Sequence, residues 1–205
     1  MPVRFPGPDS RPASESETGS RRLTFSNGLT SLRLLAAPVF CWSLANDETT
    51  LAVVLFWLAV VSDLVDGRVA RARGETTAFG GLLDHAADAT FVSLGLAALA
   101  TQGRVPLALA PLVAVAFVQY VVDSRSLAGR SLRPSSLGRL NGILYFVPIG
   151  AIVTRDALGL ARPADAIAMR IGWVLVVSTV ISMLSRAWAL WRARKTASVD
   201  ISAGP

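Results

Sequence analysis

Four aspartates, Asp63, Asp66, Asp84 and Asp88, fall in one short segment between two long apolar runs. A spacing of three puts Asp63 and Asp66 on one helical face, with Gly67 and Ala70 on the same stripe. A spacing of four does the same for Asp84 and Asp88, with Gly80 in line. Two helices joined by a short connection would then aim two carboxylate pairs at each other. The glycines remove side chains where a ligand or a helix must approach closely. Carboxylates gathered in one pocket repel at neutral pH unless cations or shared protons compensate. Arg71 and Arg73 could pair with one or two of them. Hard oxygen donors in this number suit Mg²⁺, Mn²⁺ or Ca²⁺, and a single His85 with a single Cys41 supplies no zinc site. A pair of cations would offset the charge and keep coordination positions open to phosphate oxygens. A lone Asp near a helix end is a solvated or capping residue; four at helical spacing inside apolar sequence mark a functional site.

The elements that must hold these residues read as membrane helices. Of 205 residues, 52% are hydrophobic and 17% charged, against about a quarter charged in a soluble domain. Mean hydropathy is +0.50. The lone Cys41 excludes an internal disulfide and reads as a small packing residue. A net charge of +6 would suggest nucleic acid in a soluble protein. No basic stripe interleaved with aromatics is present, so nucleic acid is set aside and the positive-inside bias of membrane proteins accounts for the charge. Residues 1–22, rich in Pro, Ser, Glu and Gly, read as a disordered cytoplasmic tail and lack the apolar core of a signal peptide. Six apolar stretches follow at 29–46, 50–70, 81–101, 105–123, 140–156 and 166–190, each near the ~20 residues of a spanning helix.

The expected fold is therefore all-α, an integral membrane bundle of six transmembrane helices. It would occupy residues 23–195, with a short flexible C-terminal tail at 196–205. Basic residues set the orientation. Arg4, Arg11, Arg21 and Arg22, then Arg68, Arg71 and Arg73, then Arg125, Arg130, Arg133 and Arg139, and finally Arg192, Arg194 and Lys195 collect on one side. Arg104, Arg155, Arg162 and the acidic Asn46–Glu48 fall on the other. Both termini are thus expected in the cytoplasm, in a multi-pass protein of the cell membrane. Trp188 and Trp191 beside the C-terminal arginines read as an interfacial belt.

The string from Asp63 to Asp88 resembles the signature of the CDP-alcohol phosphatidyltransferase family: Asp, two residues, Asp-Gly, two residues, Ala-Arg, eight residues, Gly, three residues, Asp, three residues, Asp. Asp63, Asp66, Gly67, Ala70, Arg71, Gly80, Asp84 and Asp88 fill every position. The six-span layout is similar as well, and "NGLTSLR" (Asn27 to Arg33) resembles the family's segment before the first span. The resemblance implies a phosphotransferase of phospholipid biosynthesis. It would move a phosphatidyl group from CDP-diacylglycerol to an alcohol and release CMP, at the cytoplasmic face. It also implies that Asp63, Asp66, Asp84 and Asp88 hold two divalent cations, Mg²⁺ or Mn²⁺, on the diphosphate. Gly67, Ala70, Arg71 and Gly80 would line the nucleotide and diphosphate, and Asp88 would be the general base. A carboxylate is a weak base for an alcohol, but it suffices where proton loss accompanies attack and the hydroxyl is within hydrogen-bond reach. Family members are often homodimers, and small residues on several spans permit one.

The acceptor leaves a fainter trace. In "SLAGRSLRPSSLGRLNG" (Ser126 to Gly142), Arg130, Arg133 and Arg139 come to the cytoplasmic face, where they could hold an anionic alcohol such as glycerol 3-phosphate, inositol phosphate or phosphatidylglycerol. Positive-inside topology is the competing reading of these arginines, as interfacial anchoring is for Arg71 and, more strongly, Arg73. Asp123 would pair with Arg125 or join the acceptor pocket, and His85 would pack or hydrogen-bond beside Asp84. Two alternatives stand beside the phosphatidyl transfer. One is a CDP-alcohol:diacylglycerol phosphotransferase of the same family. The other is a divalent-cation or proton transporter, which predicts acidic residues spread along several helices, whereas here they concentrate at one end.

Overall fold

In the computed structural model of the chain, residues 25–73, 78–126 and 136–202 are described, and every element among them is a helix. In chain order these are α1 (Phe25–Ala45), α2 (Thr49–Arg73), α3 (Ala78–Thr101), α4 (Leu109–Ser126), α5 (Ser136–Leu144), α6 (Phe146–Ala157) and α7 (Asp165–Ser202). Among the described residues, four stretches are long and apolar enough to cross a membrane: Gly28–Ala45, Gly80–Thr101, Ser136–Ala157 and Asp165–Arg192. Thr49–Val65 and Leu109–Asp123 are shorter apolar helices. The expected tail at 1–22 lies outside the described residues.

The element boundaries differ from expectation in three places, each for a local reason. The segment Asn27–Arg33, expected before the first span, belongs to α1 itself. Thr30 and Arg33 are tolerated there because both turn onto carboxylates rather than lipid. The fifth expected span divides at Tyr145 into α5 and α6. Pro148 has no amide hydrogen to return to the Leu144 carbonyl, so it is accommodated in the first turn of a new helix. Finally, α7 runs on to Ser202, past the expected boundary at 195: the helix-favouring Arg192–Lys195 lead into it, and no Gly or Pro interrupts the sequence before Gly204.

Lipid tails are as apolar as leucine, so close packing and interhelical polar contacts must hold such a bundle together. The helix α1 packs on both α2 and α3, while α2 and α3 do not pack directly on each other among the described residues. At the centre Phe40 stacks on Phe91 at 4.5 Å, with Phe56 6.3 Å from Phe40. Two glycines permit this proximity. A Cβ on Gly95 would lie 2.7 Å from the Phe40 ring, and one on Gly150 would lie 2.7 Å from the Phe56 ring. Gly95→Ala is therefore expected to destabilise the bundle by about 1–3 kcal/mol, read as a lower thermal midpoint in detergent. An unchanged midpoint would show that the α1–α3 contact does not depend on a missing side chain at this position.

Polar contacts add to this. Gln102 Nε2 donates to the Leu44 carbonyl at 2.7 Å, Trp57 Nε1 to Thr154 Oγ1 at 3.1 Å, and Gln119 Nε2 to the Met183 carbonyl at 3.1 Å. At one end Arg104 and Arg155 interlock with Asp156 and Asp165, and Arg155 Nη1 also donates to the Pro163 carbonyl at 2.8 Å. This four-residue network closes the end of the bundle that carries the α3–α4 and α6–α7 connections. The aspartate cluster lies at the other end.

Candidate active site

Asp63 comes from the second half of α2, and Asp84 and Asp88 from the first half of α3. They meet across a residue of α1. Arg33 Nη1 lies 3.3 Å from Asp63 Oδ1, 3.1 Å from Asp84 Oδ1 and 2.7 Å from Asp88 Oδ1. Thr30 Oγ1, one turn earlier on the same helix, donates to Asp84 Oδ1 at 3.5 Å. Asp63, Asp84 and Asp88 thus converge through α1, and among the described residues α2 does not pack directly on α3. The Arg33 side chain is 1% exposed, while those of Asp63, Asp84 and Asp88 are 40%, 35% and 25% exposed. The cluster is sealed behind the arginine and open in front.

Asp66 and Gly67 lie one turn beyond Asp63 on α2, and Ala70 and Arg71 one turn further. Their side chains fall outside the described residues, as do Arg130 and Arg133 entirely. Gly80 stands at the start of α3, half-buried. Ligand atoms of Asp84, His85 and Asp88 all lie within 4.8 Å of one another. The donor set around the cluster is three carboxylates with one hydroxyl nearby, which are hard oxygens suited to Mg²⁺ or Mn²⁺. His85 is exposed and sets the edge of its ring against Tyr120, 5.8 Å between centroids.

In front of the cluster opens a cavity of about 790 Å³, lined at one end by Asp63, His85 and Asp88. Arg139 of α5 and Arg186 of α7 line it as well. Arg186 lies over the Tyr120 ring at 5.4 Å, so the ring is shared between His85 and a guanidinium. Asn141 and Gln119 also line the cavity. Ser178 Oγ donates to Asn141 Oδ1 at 2.7 Å, and Tyr145 and Thr179 share a hydroxyl contact of 2.7 Å. Carboxylates at one end of the space and arginines on its wall can gather metal-neutralised phosphates and an anionic co-substrate side by side. Asp123 is buried on α4 and does not line the cavity.

Two site residues were not singled out in the sequence: Arg33, in the first expected span, and Arg186, in the last. Both are cations inside apolar runs, and that anomaly was the available signal.

A sequence profile of CDP-alcohol phosphatidyltransferases matches residues 23–196. The chain belongs to this family. A probable phosphatidylglycerophosphate synthase of Mycobacterium tuberculosis is 29% identical over 187 residues, covering 85% of this chain and 89% of the relative. Human cardiolipin synthase (CMP-forming) is 25% identical over 215 residues, covering 95% of this chain and 69% of the relative. A CDP-diacylglycerol–glycerol-3-phosphate 3-phosphatidyltransferase of Wigglesworthia glossinidia brevipalpis is 35% identical over 78 residues, covering 37% of this chain and 43% of the relative. Enzymes of this family use divalent metal ions, in keeping with the oxygen donors gathered around Arg33.

Proposed function

We propose that this transferase moves the phosphatidyl group of CDP-diacylglycerol to a phosphate-bearing alcohol, with glycerol 3-phosphate the favoured acceptor. The observation that carries the reading is one cavity with carboxylates at its end and Arg139 and Arg186 on its wall. The names of the relatives, two glycerol-phosphate-type synthases and a cardiolipin synthase, support an acceptor of this kind.

In this reading the acceptor hydroxyl attacks the phosphorus that carries diacylglycerol, and the bond from that phosphorus to the oxygen of the CMP phosphate breaks. CMP leaves with the electron pair, and Asp88 takes the hydroxyl proton. Asp63, Asp66, Asp84 and Asp88 would hold two ions of Mg²⁺ or Mn²⁺. When bound, such ions neutralise the diphosphate and stabilise the leaving CMP. Gly67, Ala70, Arg71 and Gly80 line the nucleotide and diphosphate. Arg139 and Arg186, with Arg130 and Arg133, clamp the acceptor phosphate. Six spans, both termini in the cytoplasm and an active site at the inner face of the cell membrane complete the proposal. It divides the chain into a tail at 1–22, a catalytic domain at 23–195 and a C-terminal extension at 196–205. A homodimer is compatible with the exposed apolar helix faces.

Radiolabelled acceptors tested one at a time with CDP-diacylglycerol distinguish the choices. Incorporation from glycerol 3-phosphate supports the reading, whereas incorporation only from phosphatidylglycerol would reassign the acceptor to a lipid. Incorporation only from uncharged alcohols would remove the arginines from acceptor binding. Arg139→Ala and Arg186→Ala are each expected to raise KM for the anionic acceptor by about 10-fold or more, the loss of one charged hydrogen bond. KM for the lipid donor should change little. Unchanged KM for both substrates in both variants would remove these arginines from acceptor binding.

A further inference from the structure

Arg33 is an unusual guest on a membrane helix. Its side chain is 1% exposed, and its Nε and Nη2 are buried with no hydrogen-bond partner among the described residues. Burying two N–H donors without acceptors is unfavourable, and an apolar side chain would fill the same space at less cost. Packing therefore does not explain the residue. What it does is fixed by one atom: Nη1 contacts one oxygen from each of Asp63, Asp84 and Asp88, from two helices that do not pack directly on each other among the described residues.

We propose that Arg33 is the resident counter-ion of the carboxylate cluster, a positioning residue that keeps α2 and α3 assembled around α1 when no divalent cation is bound. Three carboxylates from two helices repel one another, and a single guanidinium between them converts that repulsion into a junction. It lowers the net charge that arriving cations must offset, and it holds the donor oxygens together beforehand. The proposal rests on the cluster being a divalent-cation site, and it is tested without the cation.

The full-length protein in detergent is melted in excess EDTA, following tryptophan fluorescence, for wild type, Arg33→Gln, Asp84→Asn and the double variant. Arg33→Gln is expected to lower the metal-free midpoint by about 5–10 °C. The double variant is expected to melt above Arg33→Gln alone, because removing one carboxylate relieves the charge that the arginine had balanced. Losses that simply add would show that Arg33 only packs, and would overturn the proposal. If Arg33→Gln fails to accumulate, the double variant is expected to accumulate; its failure, while Asp84→Asn alone accumulates, would overturn the proposal equally. The cation reading fails separately, if saturating Mg²⁺ leaves the wild-type midpoint where EDTA put it.

Discussion

Asp88→Asn is expected to lower kcat by about 10²–10⁴-fold, the span a positioned general base contributes, while the protein still binds CDP-diacylglycerol. Three features of the position carry this. Asp88 lines the cavity, so an acceptor hydroxyl can reach it. Its Oδ1 is fixed by Arg33 Nη1 at 2.7 Å, so the carboxylate is oriented before substrate arrives. Asparagine keeps the shape and removes the basicity, so packing around α3 survives. Because Asp88 is also a proposed metal donor, the decisive comparison is across Mg²⁺ concentration. Loss of a ligand alone would be compensated at high Mg²⁺, but loss of the base would not. Near-normal kcat in the variant would remove Asp88 from the proton transfer.

Chelation is expected to have an effect at least as large. EDTA should reduce CMP release by about 10³-fold or more, corresponding to several kcal/mol of charge stabilisation at the diphosphate. Mg²⁺ or Mn²⁺ should restore it. Asp63→Asn and Asp84→Asn should each raise the metal concentration needed for half-maximal rate, with a smaller change in kcat at saturation than Asp88→Asn. Asp63 and Asp84 meet the same arginine but are the more exposed members of the trio at 40% and 35%, which suits donors to an incoming cation, and Asp63 also lines the cavity. Full turnover in EDTA would contradict the metal assignment. The fold should survive chelation, since Arg33 contacts all three described carboxylates.

The helical class and the carboxylate cluster were legible in the sequence because both depend on local spacing. Three- and four-residue intervals fix a helical face whatever surrounds it. Asp84 and Asp88 accordingly share Arg33, and Asp63 joins them from α2. What the sequence hid was the element between. A short connection from α2 to α3 suggests that the two pack together, yet α1 contacts both. No local pattern records which helix is inserted between two others. Arg33 and Arg186 were overlooked for a related reason. Each was absorbed into an apolar run, although a buried cation within a span is as anomalous as a buried aspartate. The division of the fifth span was readable in principle from Pro148, whose missing amide hydrogen begins α6 afresh. The acceptor arginines stayed ambiguous because positive-inside topology and anion binding ask for the same residues in the same loops. For Arg139 the added observation is its place on the wall of the cavity that Asp88 also lines.

Whether the carboxylates brought together from α2 and α3 serve phosphatidyl transfer at the cavity is decided by CMP release from CDP-diacylglycerol, using the purified protein with Mg²⁺ and glycerol 3-phosphate. CMP and labelled lipid are expected in equal amounts, and neither when the acceptor, the metal or the Asp88 carboxylate is missing. Absence of CMP from the folded, metal-loaded protein with every phosphate-bearing alcohol offered would contradict that role.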